Sequence, residues 1–492
     1  MLAPISVKRW DFKTAAHLLN RAGFGGPPIE IERLASLGPE AAVAGFVDFE
    51  KIPDDTKEPD WAKPDPTRQQ EIVKFRTLSE EERRMAQQQR QREDRERMLE
   101  LRGWWFRRMV SGPRPLQEKM TLFWHGHFAT SMEKVRDPYY MWRQNELFRR
   151  IGTGNWLQML VEVGQDPAML LWLDQAQSRK DHPNENFARE VMELFALGEG
   201  HYTEKDISEA ARALTGWSLD REAQRFADRP RQHDEGTKTV LGQTGNFDGR
   251  DVLRIIVEQP QAAKFITAKL WNFFAGSPLS PELNDALAKV FRDGGDKFRP
   301  VLRAMFLSEE FYAPEVVRAQ VKSPVQWLVT GVRQLERELP PALVCSALTR
   351  SLGQELFQPP NVKGWDGGLA WITTNNLLTR YNESATLVFG DMKALQGAFQ
   401  GGNNNNLARL AERRLERVRL TGVNPDNLFT VGERKARDKF IAALERRFLQ
   451  AELKPAQRKA LNEFLDARGE LDSDDILGAV RLVMCTPDYQ LT

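Results

Sequence analysis

The sequence predicts an all-α protein: a large multi-helix domain in two packed lobes, with one small β-hairpin. Three observations predict it. From Pro115 onward, apolar residues recur at three- and four-residue spacing through most of the chain, the period of helices that bury one face. Helix start signals recur as well: Ser79 before Glu80-Glu81-Glu82, Pro115 at a first helical position, Thr203 with Asp206, and Asp248 with Asp251. Only residues 217–242, rich in Arg, Asp and aromatics and with Gly236-Thr237 as a turn, read as a hairpin or ordered loop.

Residues 1–50 carry two helices between 13 and 47, parted by Gly23-Phe24-Gly25-Gly26-Pro27-Pro28. Residues 51–110 are a Pro- and Asp-rich linker followed by a charged helical insertion. Its stretch after Ser79 alternates Arg, Glu and Gln with hardly an apolar residue before Met98 and Leu99. That stretch is a solvated helix held by i,i+4 pairs, or it is disordered; as a helix it is an exposed insertion or a partner-binding arm. Residues 111–312 form the first lobe, with helices at 115–127, 138–151, 154–164, 184–197, 204–215, 249–258, 260–275, 281–292 and 298–308. Residues 313–492 form the second, with helices at 324–336, 341–350, 374–388, 405–419, 431–451, 455–468 and 473–485. The run 401–406, Gly-Gly-Asn-Asn-Asn-Asn, reads as a flexible connector. Residues 304–312 echo 482–490: an apolar helix end, a hydroxyl-bearing cap, an acid, then an aromatic. Two copies do not make a solenoid, but they suggest lobes that end alike.

The 70 basic and 69 acidic side chains leave a formal charge of +1, so no long-range field recruits nucleic acid or an anionic membrane. Cys345 and Cys485 are the only cysteines, which excludes a disulfide framework and a cysteine-type zinc site. The N-terminal residues are interrupted by Lys8, Arg9, Asp11 and Lys13 and lack the apolar stretch of about 7–15 residues of a signal peptide. No run approaches the ~20 apolar residues of a membrane span. A cytoplasmic protein is the expectation. There is no H-E-x-x-H, Walker A or G-x-S-x-G motif and no helix with a basic DNA-binding face.

The densest polar constellation is Asp181-His182-Pro183-Asn184-Glu185-Asn186-Phe187-Ala188-Arg189-Glu190-Val191-Met192-Glu193-Leu194-Phe195-Ala196-Leu197-Gly198. Asn184 suits an N-cap and Gly198 a helix stop. Phe187, Val191, Leu194 and Phe195 make the buried stripe, while Asn186, Glu190 and Glu193 share another face. Carboxylates one turn apart are the geometry of a helical metal site or an acid/base pair. They are equally that of a salt-bridge ladder or an Arg–Glu clamp between helices. The helix that follows buries Ile207, Ala210, Ala211 and Leu214, and in it Asp206 has a capping role available.

Of six histidines, His17, His125, His127, His182, His201 and His233, four fall in or beside polar clusters. On a helix His125 and His127 point roughly 200° apart, so at most one joins a given site. His127 lies on the apolar stripe, where a satisfied core histidine competes with a ligand. His233-Asp234 suits a metal ligand or an oriented base, although turns collect these residues for backbone reasons. The loop 358–372 carries Gly364, Trp365 and Trp371; its tryptophans offer stacking faces for a sugar or peptide, or else plug the core.

These blocks, in this order, resemble the uncharacterised bacterial family known as domain of unknown function 1800. The resemblance rests on His17-Leu18-Leu19-Asn20-Arg21-Ala22-Gly23-Phe24-Gly25, Phe123-Trp124-His125-Gly126-His127-Phe128, the helix 184–193, Ala213-Leu214-Thr215-Gly216-Trp217, His233-Asp234 and Gly364-Trp365. It spans the chain outside 51–100 and carries no established activity. Members are often encoded beside a family that resembles sulfatases and alkaline phosphatases and often bears twin-arginine signals. The resemblance therefore implies a partner, one that would carry this chain out of the cytoplasm already folded.

Two functions of different classes follow. In a metal-assisted hydrolase of a glycan or peptide, His127, His201, Asp206, His233 and Asp234 would hold a divalent ion such as zinc. Glu185 and Glu190 would serve beside it, Arg189 and Arg212 would steady the developing anion, and Gly364, Trp365 and Trp371 would hold substrate. In a non-catalytic helical scaffold for the sulfatase-like or phosphatase-like partner, the same clusters are clamps that fix helix register, and the charged 79–100 helix is a docking arm. Crowding of His, Asp and Glu into a short part of the chain favours the enzyme. Proximity discriminates: convergence around a cleft supports the enzyme, and consumption by arginine partners supports the scaffold.

Overall fold

The computed structural model describes residues 2–276, 279–395 and 413–492; the connector at 401–406 and the first part of the helix expected at 405–419 lie outside the described residues. The chain is all-α apart from two small antiparallel sheets. Helices α1 (Phe12–Ala22), α2 (Pro28–Leu37) and α3 (Pro39–Val47) open it. Two helices were expected there. Gly38, at φ 77°, followed by Pro39, breaks the second into two, because proline cannot continue a helix whose carbonyls it would strike.

α4 (Arg68–Thr77) precedes α5 (Glu80–Ser111), a 32-residue helix started by the reciprocal Ser79–Glu82 capping box. Of the two alternatives, the solvated helix is the one observed. Before Met98 only Ala86 and Asp94 are even partly covered; from Met98 the helix buries Leu101, Trp104, Trp105, Phe106 and Met109. Then come α6 (Pro115–His127), α7 (Met132–Val135), α8 (Pro138–Ile151), α9 (Trp156–Gly164) and α10 (Pro167–Trp172). α11 (Asn186–Glu190) runs into a π-helical turn, Val191–Ala196, that ends at Gly198 (φ 86°). α12 is Glu204–Ala213, started by the Thr203–Asp206 capping box.

The expected single hairpin is two. β1 (Trp217–Asp220) pairs with β2 (Arg225–Asp228), and β3 (Lys238–Val240) with β4 (Gln243–Gly245). The second turn is Leu241-Gly242, both at positive φ, the geometry that suits a two-residue hairpin turn; Gly236-Thr237 lies between the hairpins. α13 (Gly249–Glu258), α14 (Pro260–Phe274), α15 (Pro281–Asp293), α16 (Phe298–Leu307), α17 (Pro324–Gln334), α18 (Ala342–Ser351) and α19 (Thr374–Phe389) follow, with further helices at Val431–Lys435, Arg437–Leu444, Pro455–Asp466 and Ser473–Met484.

One apolar core is drawn from residues between Ile5 and Val316. The other combines residues from Val325 onward with the buried half of α5 and with Leu122, Tyr140 and Leu170. Each region closes on three helices and a hydroxyl-capped 3-10 turn. Ser308 caps Glu309–Tyr312 through the Phe311 amide, and Thr486 caps Pro487–Gln490 through the Tyr489 amide. The sequence echo is thus a structural one in its capped turns, while the bridges beside them fall at different positions, Pro4 on the cap Ser308 and Val321 on Leu491 after the turn.

The motif at 17–25 joins the two cores. Arg21, 1% exposed, donates to the carbonyls of Phe274 (2.9 Å), Val316 (2.8 Å) and Thr492 (2.7 Å). One face of α17 grips the same motif: Gln326 donates to the Asn20 carbonyl, Thr330 to Phe24 and Arg333 to Gly25, at 3.4, 2.8 and 2.6 Å. Among the described residues no helix is long and apolar enough to cross a membrane.

Candidate functional site

The expected site residues divide into separate groups. The first gathers at the C-terminal end of α6. His127 donates from Nε2 to the carbonyl of Phe195 at 3.0 Å, inside the π-helical turn, and its ring lies against Phe123, Trp124 and Phe128. A π-turn leaves carbonyls without their usual helical donors, so an imidazole N–H is a fitting partner for one of them. Burial, aided by the nearby Lys269 charge, pushes His127 down to about 3, so the ring is neutral. His125 faces the other way, as its spacing predicts. Its Nε2 accepts the Phe357 amide at 2.9 Å, and burial holds it at about 3.

The Gly/Trp loop closes on the same helix end. Gly364 has φ 83°, and a Cβ there would stand 2.4 Å from the Gly126 carbonyl, so only glycine lets the loop come this near. Trp365 packs at 5.5 Å from the His125 ring and stays half-buried, while Trp371 is buried at 7% exposure and offers no open stacking face. Glu190 of α11 is half-buried. Burial first and the neighbouring Glu193 second raise its carboxyl, against the pull of Arg189 and Lys363. Glu193 in turn accepts from the Tyr202 hydroxyl at 3.0 Å. Gly364 and Trp365 thus close on the helix end that carries His125 and His127, while Glu190 is linked to this loop through the charge of Lys363, a residue that the sequence did not single out.

The second group is a clamp at the start of the hairpins. Arg212 binds Asp234 with two hydrogen bonds, 2.7 and 3.1 Å, and Glu209 with two more at 3.0 Å. Those Arg212 bonds, against a smaller cost of burial, hold the Asp234 carboxyl below the usual range. His233 Nδ1 meets the Thr215 carbonyl at 2.9 Å, the Thr215 hydroxyl takes the Asp234 amide at 2.8 Å, and Lys238, with no exposed surface, donates to the Asp234 carbonyl. Asp206 is spent on its capping box and on the Leu241 amide at 2.7 Å. Burial opposes its ionisation, yet these bonds hold its carboxyl low. Arg189 makes a bidentate pair with Glu204, 2.8 and 2.7 Å, and reaches Glu185 at 3.2 Å. His201 is exposed on the loop before α12.

The expected convergence of His127, His201, Asp206, His233 and Asp234 on an ion is not met: among the described residues no three His, Cys, Asp or Glu side chains are grouped to hold one. A carbonyl on one ring nitrogen leaves the other nitrogen of His127 and of His233 able to ligate, so the misfit lies with the carboxylates: Asp234 is bound to Arg212 through both oxygens, and Asp206 to Thr203 and the Leu241 amide. A deeply buried ionic cluster was missed. Glu118, 1% exposed, accepts from Trp105 Nε1 (2.9 Å), Arg108 Nε (2.6 Å) and Arg149 (2.9 Å twice). Its burial cost is outweighed by Arg149 and then Arg108, and its carboxyl stays low. Glu118 lies in the first turn of α6 between Gln117 and Lys119, where an acid is ordinary, so spacing carried no signal of the cluster.

Fold and clusters together define a large helical protein with two cores, in which side-chain clamps tie helices and hairpins to one another. Residues 17–491 match the family described as Protein of unknown function (DUF1800), and the chain belongs to it. No curated protein and no solved structure matches the chain.

Proposed function

We propose that this protein is a non-catalytic helical scaffold that binds another folded protein, of the sulfatase-like or alkaline-phosphatase-like class that the family resemblance implies. The observation that carries the reading is the fate of the charged groups: Arg189, Arg212, Asp206 and Asp234 are all engaged by partners within the chain. Guanidinium groups held by two carboxylates each are poorly placed to steady a developing anion. An exposed apolar face supports the reading. Leu377 (43% exposed), Leu378 (60%) and Tyr381 (46%) share one face of α19, next to Leu369 (77%). Contiguous exposed apolar residues are the kind of surface that a protein partner covers. The charged half of α5 would serve as a second contact, by charge rather than burial.

The competing reading, a hydrolase, is favoured by one observation, the half-buried Glu190 with its carboxyl raised by burial and by Glu193. It would act by acid–base chemistry with Glu190 as the proton donor. Co-expression with a sulfatase-like or alkaline-phosphatase-like protein of the class proposed as partner, followed by size-exclusion chromatography, separates the two. The scaffold reading expects a stoichiometric complex and unchanged complex formation in Glu190→Gln. Two proteins that elute separately, with turnover by this chain that Glu190→Gln abolishes, would reverse the choice.

A further inference from the structure

The exposed face of α19 carries opposite charges at its two ends. Asp366 stands exposed just before the 3-10 turn Gly368–Ile372, which leads into the N-terminus of α19. The turn is tied to the helix by Asn376, whose side-chain amide donates to the Ala370 carbonyl at 3.2 Å. The Asp366 carboxylate makes no hydrogen bond or ion pair with a described residue, and the charge of Lys363 in the same loop falls on Glu190 instead. At the other end is Arg481, from the helix Ser473–Met484. It lies 4.5 Å over the Tyr381 ring and donates to the Tyr381 carbonyl at 3.3 Å and the Ser384 hydroxyl at 3.4 Å. It meets no carboxylate among the described residues. Leu369, Leu377, Leu378 and Tyr381 stand exposed along the way. From Thr374 to Ser384 a helix rises about 15 Å, so the unpaired anion and the unpaired cation are well apart.

A strip that is negative at one end and positive at the other is complementary to itself once turned about a twofold axis. We propose that two copies of this chain meet through their α19 faces, with Asp366 of each copy against Arg481 of the other and the four apolar side chains covered between them. The parallel arrangement sets like charge on like and is disfavoured. A face this small gives a weak, reversible dimer rather than an obligate one. The proposal rests on the reading of α19 as a protein-contact face and adds its regulation: the dimer covers the face until the folded partner displaces the second copy.

Sedimentation equilibrium of the full chain at low salt tests it. Wild type is expected to dimerise with a Kd of about 10–100 μM. Asp366→Arg and Arg481→Asp should each raise the Kd at least about tenfold. The double reversal should return it to within about threefold of wild type, because the charges then pair in the opposite sense. Asp366→Arg changes an exposed side chain without contacts, so its effect does not come from a damaged fold. A chain that stays monomeric up to about 1 mM would overturn the dimer. So would a dimer indifferent to the single reversals, or a loss that the double reversal does not restore. None of these outcomes touches the partner reading, whose co-expression test is scored on the complex of two different chains.

Discussion

Glu118 and Arg189 make the same kind of contact at opposite extremes of exposure, and they should differ sharply on deletion. Removing Glu118 leaves Arg108 and Arg149 as buried cations with too few acceptors, so Glu118→Ala should cost about 3–5 kcal/mol in urea unfolding. Arg189 and Glu204 have side chains 34% and 76% exposed, and Arg189→Ala should cost no more than about 1 kcal/mol. Asp166 adds a pH signature. It caps α10, accepting the Ala168 and Met169 amides and Gln144, and burial pushes it up to about 7. The folded state binds this proton more tightly than the unfolded chain, so stability falls as the pH rises from about 4 to about 7 and is flat above. Asp166→Asn keeps a cap and should remove that slope from the urea midpoint.

Among elements, the reach of the sequence followed the reach of the forces. Caps act within one turn, and Ser79–Glu82, Thr203–Asp206 and Asp248–Asp251 could all be read from spacing. So could the opposed directions of His125 and His127. The π-turn at Val191–Ala196 could not, because its pattern of apolar residues is that of an ordinary helix and His127 comes from 68 residues earlier. The split into clamps was equally hidden: Arg212 and Asp234 are 22 residues apart, with the pairing set by how the hairpins fold back on α12. Gly364 tests how the loop is held. Gly364→Ala would combine a positive φ with a Cβ against the Gly126 carbonyl, and should cost about 2–4 kcal/mol. Displacement of Trp365 from His125 should shift its fluorescence to the red.

For the whole molecule, the two-lobe division remains a proposal that rests on the two cores and on the paired 3-10 closures. Arg21 is the test of their union. Arg21→Met strands three buried carbonyls, so it should cost about 3–5 kcal/mol and split one unfolding transition into two. The scaffold claim is tested most directly by calorimetric titration of this chain into a sulfatase-like or alkaline-phosphatase-like protein of the class proposed as its partner, with wild type compared to a folded Leu377→Asp/Leu378→Asp variant. The account predicts a one-to-one complex with Kd of about 1 μM or tighter, weakened at least about tenfold by the α19 substitutions. No binding by wild type, or equal binding by both, would contradict it.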